Sequence, residues 1–370
     1  MSEDFNGAAL RLARLFFGLA LDDVASSVGK TRQYLHKLET GQSAPSAQLL
    51  VELALALKVE PDFFYGNRVG MLGEEQVHFR KLFTTRVGVK QVAMARAELT
   101  GLLVACLEKR LRLPPVRIPT IVDAHGPDDI ERAADQCRRE WDLGLGPIAD
   151  MTRLAEAMGA VVTTFQSISS EIDAMSFDFG RPIIVRNEAK RSAARQRFDV
   201  AHELAHAVLH SGVATGDHLT ESEANRFACA LLVPRSMMVK LFPRSRGQRL
   251  DWIGLSEFKR AWGISKAALL YRARQLALLT DQQYKSGVVS LKRSGQATQE
   301  KEDDMMAIEQ PTLLRSSFEI LAKRRRLFGA EIAHQLNVSA PLLQELVGFP
   351  LPEPDRNTSQ VARPTLRLVA

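Results

Sequence analysis

The sequence predicts a mainly α-helical protein with one small α+β domain. Apolar residues recur at three- and four-residue spacing along most of the chain, which is typical of amphipathic helices. Runs of strand type occur only between 144 and 240, as AVVTTF, AMSFDF and PIIVRN. A length of 370 residues, of which 45% are hydrophobic and 25% charged, indicates two or three globular domains rather than a disordered or fibrous chain.

The composition excludes several classes of protein. The longest apolar run, 102–107, is far too short to cross a bilayer, and the first residues lack the features of a signal peptide. Cys106, Cys137 and Cys229 are odd in number and far apart, which fits a reducing compartment better than a disulfide framework. We therefore expect a cytoplasmic protein without membrane contact. A net charge of +6 permits contact with nucleic acid but does not establish it.

Prolines, glycines and polar stretches divide the chain into six segments. Each boundary follows a change from periodic apolar spacing to turn-forming or polar residues. The expected segments are an N-terminal domain of five helices (1–66), a helical connector (67–143), the α+β domain (144–280), a polar linker (281–310), a C-terminal helical segment that resembles a helix-turn-helix (311–350) and a disordered tail (351–370).

A helix-turn-helix pattern runs through residues 18–57. Gly29 is expected to adopt the positive φ of the turn, and Thr31 to cap the helix that follows. The same order of alanine, turn residue and Ser or Thr recurs more faintly at 255–274 and 327–347. Those two repeats could equally be helical hairpins that pack inside a domain.

Residues 7–65 resemble the Xre/Cro-type helix-turn-helix family, whose E-x-G-x-x-x-P loop is matched by Glu39, Gly41 and Pro45. The resemblance implies a DNA-binding domain whose third helix enters the major groove. However, residues 1–66 hold six Lys/Arg against eight Asp/Glu, so a helical protein-interaction or dimerisation module is the alternative. The helix expected to contact DNA would offer Thr31 as its cap and Arg32, Gln33, His36 and Lys37 to the groove.

The segment RFDVAHELAHAVLH (197–210) contains an H-E-x-x-H pattern. His202 and His206 are four residues apart on a predicted helix, so their rings would project from one face as a tetrahedral Zn²⁺ requires. Glu203 is placed to accept a proton from water without itself binding the metal. Two histidines and a glutamate in an otherwise apolar helix are unusual without such a role.

A third metal ligand is expected on the next predicted helix, 221–234. We favour Glu223 over Glu221, because Glu223 begins the apolar face of that helix. A capping role for Glu223 in the Thr220-x-x-Glu223 pattern is the alternative. Two further histidines nearby, His210 and His218, are expected to cap helices or to lie in solvent.

Residues 147–234 resemble the ImmA/IrrE family of zinc peptidases. The matching features are the helix and three strands that lead in, R-F-D-V-A-H-E-L-A-H, and E-A-N-x-F-A-x-x-L-L-x-P; Ala205 stands where that family usually has glycine. The resemblance implies a zinc endopeptidase of bacteria, phages or mobile elements that cleaves an Xre-type repressor, as in a stress response. The alternative is a DNA-binding transcriptional regulator whose metallopeptidase-like domain is a sensor with little or no proteolysis. Glu203 favours the peptidase, because a sensor has no need of a general base.

Three weaker expectations concern the substrate and the tail. A substrate strand would add to an edge strand of the sheet, either 173–179 or 182–186. No oxyanion-stabilising residue is evident, because the nearest candidates, Tyr271 and Arg272, are expected on an exposed helix face. The linker and the basic helix 315–328 are expected to form a movable element that restricts the active site, or else a homodimer contact.

Overall fold

The structure is a computed structural model of the chain. The residues that it describes are 4–65, 72–73, 77–79, 86–165, 174–187, 190–213, 215–245, 247 and 249–354. The disordered tail expected over 351–370 therefore lies almost wholly outside the described residues. None of the described helices combines the length and the apolarity that a membrane span needs.

Four α-helices and a short 3-10 helix form the N-terminal domain, as the sequence predicts. Gly29 adopts a φ of 62° between the second and third helices, a conformation that favours glycine. Thr31 and Ser46 cap the third and fourth helices by accepting hydrogen bonds from backbone N–H groups three residues on. The elements are α1 (Gly7–Phe16), α2 (Leu21–Ser27), α3 (Arg32–Glu39), α4 (Ala47–Ala56) and the 3-10 helix Pro61–Phe64.

The sheet has four described strands in the order β1-β3-β4-β2. They are β1 (Val77–Phe79), β2 (Val161–Phe165), β3 (Ala174–Asp178) and β4 (Pro182–Asn187). β2 and β4 are parallel, whereas β3 pairs antiparallel with both β1 and β4.

Two sequence predictions about the sheet are wrong. Strands were expected only between 144 and 240, but β1 comes from the segment expected to be a helical connector. The predicted edge strands, 173–179 and 182–186, correspond to β3 and β4, which are the two central strands. β1 escapes prediction because three residues are too few to show a two-residue period.

Twelve further α-helices surround the sheet in the described parts of the chain. Both faint repeats form two helices joined by a turn with a left-handed residue, Gly263 in the first and Asn337 in the second. The helices are α5 (Val87–Glu108), α6 (Pro127–Glu140), α7 (Met151–Ala157), α8 (Ala193–Leu209), α9 (His218–Leu232), α10 (Arg235–Leu241), α11 (Trp252–Trp262), α12 (Lys266–Gln275), α13 (Asp281–Arg293), α14 (Leu313–Arg325), α15 (Gly329–Gln335) and α16 (Ala340–Val347).

The two faces of the sheet belong to two hydrophobic cores. Met175 and Val185 lie in a core that also contains side chains of the N-terminal domain, α5 and α14–α16. Val162 and Ile184 lie on the opposite face, in a core built mainly from α6–α9 and α11–α13. One strand therefore supplies both cores, because successive side chains of a strand point to opposite faces.

The expected linker 281–310 is largely fixed in place. Its first part forms α13, which the sequence did not predict. Glu300 and Asp303 follow α13 in the sequence. Glu300 Oε2 lies 2.8 Å, and Asp303 Oδ1 2.5 Å, from the fully buried ammonium group of Lys259 on α11. The ammonium group pairs with both carboxylates and attaches the segment to the α+β domain.

Two more carboxylates continue this attachment toward α14. Glu309 pairs with Arg197 of α8 and accepts hydrogen bonds from the first two backbone N–H groups of α7. Glu156 of α7 in turn accepts hydrogen bonds from the backbone N–H groups of Thr312 and Leu313. The segment thus has the contacts of a fixed strap, which contradicts the expectation of a movable element.

The C-terminal hairpin, formed by α15 and α16, docks onto the N-terminal domain through backbone hydrogen bonds. Lys58 and Asn337 both adopt left-handed conformations, with φ values of 53° and 57°. The Glu60 N–H donates to the Asn337 carbonyl oxygen at 2.8 Å, and the Ser339 N–H donates to the Lys58 carbonyl oxygen at 3.0 Å. A short antiparallel bridge between Val59 and Val338 therefore joins the N-terminal domain to the C-terminal hairpin.

An exposed ion pair between His334 and Glu60 at this bridge makes the docking depend on pH. A hydrogen bond from His334 Nδ1 to Glu60, 2.8 Å long, raises the pKa of His334 above 6.5. The ion pair gives its full stabilisation to docking at pH values below the ordinary histidine pKa. This stabilisation is lost as the pH rises through the raised pKa of His334. We expect NMR titration to show a lower His334 pKa in Glu60→Gln than in the parent protein. An equal pKa in both proteins would contradict the contact.

Candidate metal centre and catalytic site

The floor of the candidate site is one row of side chains across the sheet. Strand register places Val162, Ile184, Ser176 and His78 side by side on β2, β4, β3 and β1. The first two are apolar and lie in the core under α8, whereas the last two are polar and reach residues of α8. The row therefore passes from core to functional site within a single layer of the sheet.

Helix α8 carries the H-E-x-x-H pattern over this row. Ser192 caps the helix, and its apolar face is fully buried at Val200, Ala201, Leu204, Ala205 and Val208. His202, Glu203 and His206 have at most 1% of their surface exposed. Charged groups so deeply buried require polar partners, and the neighbouring elements supply them.

Three ligand groups, two imidazoles and one carboxylate, form a compact triangle in the site. His202 Nε2 and His206 Nε2 are 3.2 Å apart. Glu221 Oε2 lies 3.4 Å from His202 Nε2, and Glu221 Oε1 lies 3.4 Å from His206 Nε2. A tetrahedral zinc ion with bonds of about 2.0–2.1 Å holds its ligand atoms about 3.3–3.4 Å from each other. The two imidazoles and the carboxylate thus fit a zinc ion in donor type and in spacing.

The structure brings Glu221, and not Glu223, to the two histidines. Helix α9 begins at His218 and is capped by Asp217, whose side chain accepts from two backbone N–H groups. From that start Glu221 faces His202 and His206, while Glu223 Oε2 lies 3.0 Å from His210 Nε2. The preference for Glu223 as third ligand is therefore corrected to Glu221.

The structure also decides the capping alternatives for the neighbouring residues. Thr220 lies inside α9, so the Thr220-x-x-Glu223 pattern does not cap that helix. His210 is the C-cap residue of α8, one of the two places expected for it, and its buried Nδ1 lies 2.9 Å from His206 Nδ1. His218 is exposed at the first position of α9, as expected for a solvent residue.

Two residues that the sequence analysis missed complete the site. The Ser176 hydroxyl donates to Glu203 Oε2 at 2.5 Å. The imidazole of His78 stacks on His206 with ring centroids 5.2 Å apart, and its Nδ1 lies 2.5 Å from Thr215 Oγ1. A serine within the apolar run AMSFDF was the one visible sign of such a role for β3.

The protonation states suit metal binding. Burial lowers the pKa of His206 to about 4, so its ring is neutral near pH 7. Burial and the neighbouring His206 lower the pKa of His78 to about 3. Burial alone raises the pKa of Glu221, but its hydrogen bonds with His202 and His206 outweigh that effect and hold the pKa below its ordinary value. A neutral imidazole and an ionised carboxylate are the forms that bind zinc.

Two cavities are lined by residues that contact the two histidines of the triangle, His78 in one and Asn225 in the other. One of about 370 Å³ includes His78 and Ser176 in its wall and extends toward the turn between β3 and β4. A second, of about 670 Å³, is lined by Phe198, Asn225 and Tyr271, among others. Arg272, expected on an exposed face, is instead fully buried and paired with Glu131 of α6.

The helix-turn-helix surface is separate from these cavities. On α3, Leu35 and Leu38 are buried, while the cap Thr31 is exposed at its first turn. Arg32 also makes an exposed ion pair with Asp22, 3.8 Å long. The predicted DNA contacts share one exposed face and line a shallow hollow: Arg32, Gln33, His36 and Lys37.

Comparison with known protein families agrees with both halves of this description. Residues 155–274 match the peptidase M78 family model, described as an IrrE N-terminal-like domain. Residues 10–64 match a helix-turn-helix family model. The chain joins an IrrE N-terminal-like domain to a helix-turn-helix domain. No curated protein matches the chain.

The IrrE-like match contains some parts of the site but not others. It includes α8, α9 and the strands β2–β4, and therefore the triangle, Glu203 and Ser176. His78 lies outside it, on the strand β1 that precedes α5. The candidate site thus extends beyond the segment that the peptidase family model recognises.

Proposed function

We propose that the chain is a zinc-dependent endopeptidase that regulates transcription by cleaving an Xre-type repressor, and that its helix-turn-helix domain binds DNA. The observation that carries this proposal is the buried triangle of His202, His206 and Glu221 beside Glu203. A site in a peptidase-family domain with this donor set and an adjacent carboxylate supports hydrolysis of a peptide bond.

A bound zinc ion would supply the Lewis acidity that polarises the scissile carbonyl group. Glu203 would accept a proton from the attacking water and later donate it to the departing amine. The hydrogen bond from Ser176 holds one carboxylate oxygen of Glu203 in place. His78, fixed by Thr215 and stacked on His206, is positioned to contact the substrate beside the metal.

The substrate would be bound as an extended strand. β1 is the outermost strand on the His78 side of the described sheet, and extended peptides commonly add to such an edge. A strand added there would run past His78, and one of its side chains could enter the cavity of about 370 Å³. This replaces the earlier choice of β3 or β4 as the edge that receives the substrate.

The direct test is cleavage of a purified Xre-type repressor. We expect proteolysis with the zinc-loaded protein, loss of proteolysis with a chelator, and recovery when zinc is restored. Ser176→Ala should reduce the rate without loss of zinc, since the Ser176 hydroxyl donates to the general base and Ser176 is not one of the three ligand residues. Full zinc occupancy without cleavage of any repressor would instead favour the sensor alternative, in which the domain regulates without proteolysis.

DNA binding by α3 has its own expected result. Replacement of Arg32, Gln33 and Lys37 by alanine should weaken binding to the upstream region of the chain's own gene. The slope of log affinity against log salt should also flatten by about one for each lost phosphate contact. Lys285→Ala, a loss of one exposed cation on α13, is the matched control. If the parent protein shows no salt-sensitive binding to DNA at all, the domain is better interpreted as a protein-docking module.

A further inference from the structure

The Nε2 atoms of His202 and His206 face the triangle, and their Nδ1 atoms have other hydrogen-bond partners. These partners have no role in the peptidase proposal. We propose that Glu223 and His210 form a relay that sets the tautomer and direction of His206, and that Asn225 does the same for His202. The inference rests on the proposed metal site but not on proteolysis. It assigns positioning residues, not additional ligands.

The proton arrangement along the relay follows from simple counting. His206 Nε2 belongs to the triangle, so binding of a cation there requires its proton to be on Nδ1. His206 Nδ1 lies 2.9 Å from His210 Nδ1, which must then accept that proton's hydrogen bond. His210 consequently carries its own proton on Nε2, 3.0 Å from the Glu223 carboxylate, which accepts it.

Each of these nitrogen and oxygen atoms therefore has one consistent role as a hydrogen-bond donor or acceptor or as a ligand. If the order were reversed, the proton on His206 would point into the triangle and displace the cation. The contact of His210 Nε2 with Glu223 Oε2, 3.0 Å long, disfavours that reversal, because a carboxylate oxygen accepts the hydrogen bond that Nε2 donates in the first arrangement. Burial of His206 and His210, at 1% and 5% exposure, keeps water from supplying alternative partners.

His202 receives similar support from α9. Its Nδ1 lies 3.2 Å from Asn225 Oδ1, and an amide oxygen is an acceptor. The proton of His202 is then placed on Nδ1, and Nε2 is available in the triangle. Every second residue of α9 from 221 to 225 thus serves the site. Glu221 belongs to the triangle, Glu223 to the relay, and Asn225 contacts the imidazole of His202.

Zinc affinity distinguishes the relay from direct ligation by Glu223. His210→Phe removes the acceptor of His206 Nδ1, and we expect about 10–100-fold weaker zinc binding, the usual cost when such an orienting partner is lost. Glu223→Gln should weaken binding less, since its amide oxygen can still accept from His210. Glu221→Gln should weaken binding most. His218→Phe, an exposed histidine at the start of α9, should bind zinc normally.

Affinities would be measured by competition between each protein and a chromophoric chelator, with circular dichroism of the metal-free variants to verify folding. If Glu223→Gln lost zinc as completely as Glu221→Gln while His210→Phe bound normally, Glu223 would be a ligand and the relay would be wrong. NMR of ¹⁵N-labelled histidines in the zinc-loaded parent protein provides a test without any substitution. We expect protons on Nδ1 of His206 and Nε2 of His210; a proton on His210 Nδ1 overturns the relay.

The outcomes also separate this inference from the proposed function. Parent protein that binds no zinc would overturn both. Parent protein that binds zinc with the expected order of variants, but cleaves no repressor, would overturn only the proposed peptidase activity.

Discussion

Replacement of Glu203 by glutamine should abolish peptide cleavage and leave the zinc content unchanged. General acid–base catalysis by a positioned side chain is worth about 10²–10⁴-fold in rate, and glutamine can neither accept nor donate the transferred proton. The side chain lies outside the triangle of ligand atoms, so zinc should bind as before. The measurement is kcat with a repressor substrate, together with metal analysis of the same sample.

His206→Ala is the contrasting variant, because His206 contributes one corner of the triangle. We expect it to lose both zinc and activity, since two remaining protein ligands are too few for a stable zinc site. A Glu203→Gln protein as poor in zinc as His206→Ala would show that Glu203 is a ligand. Full activity in Glu203→Gln would remove it from the mechanism.

Lys259→Met should destabilise the protein by about 3–5 kcal/mol, the usual cost when one partner of a buried ion pair is removed. The variant leaves Glu300 and Asp303 in the interior without their cation, and both side chains are fully buried. Chemical denaturation followed by tryptophan fluorescence measures the loss. Lys285→Met, at an exposed position on α13, should stay within about 0.5 kcal/mol of the parent protein.

A triple variant separates charge from packing. Lys259→Met combined with Glu300→Gln and Asp303→Asn removes the unpaired charges, and we expect it to recover part of the lost stability. Equal stability of Lys259→Met and Lys285→Met would show that the segment after α13 is not fixed to the α+β domain. Deletion of residues 294–370 should accordingly destabilise the protein, rather than release a restrained active site.

The sequence was informative wherever a long period or a chemical pattern was present. The buried helix around His202 and His206 and the strands β2–β4 were predicted, because apolar periodicity extended over enough residues. The helix-turn-helix was predicted because Gly29 and Thr31 have specific turn and capping roles. Each of these elements is defined by residues close together in the chain.

The remaining features depend on contacts between distant residues. The choice between Glu221 and Glu223 depends on the rotation of α9 about its axis, which Asp217 sets by fixing where the helix starts. Glu221 and Glu223 are two positions apart and therefore differ by about 200° in direction, so only one of them can face the two histidines directly. His78 could not be assigned because its position beside His206 follows from the pairing of β1 with β3.

Three buried cations make the IrrE-like domain depend on residues outside the segment that the family model matches. Arg197, Lys259 and Arg272 lie inside the matched segment 155–274. Their carboxylate partners all lie outside it: Glu309 for the first, Glu300 and Asp303 for the second, and Glu131 for the third. A gene fragment cut at the ends of the match would therefore encode a polypeptide with unneutralised charges in its interior. Recombination could transfer this domain to another protein only together with the flanking sequence on both sides.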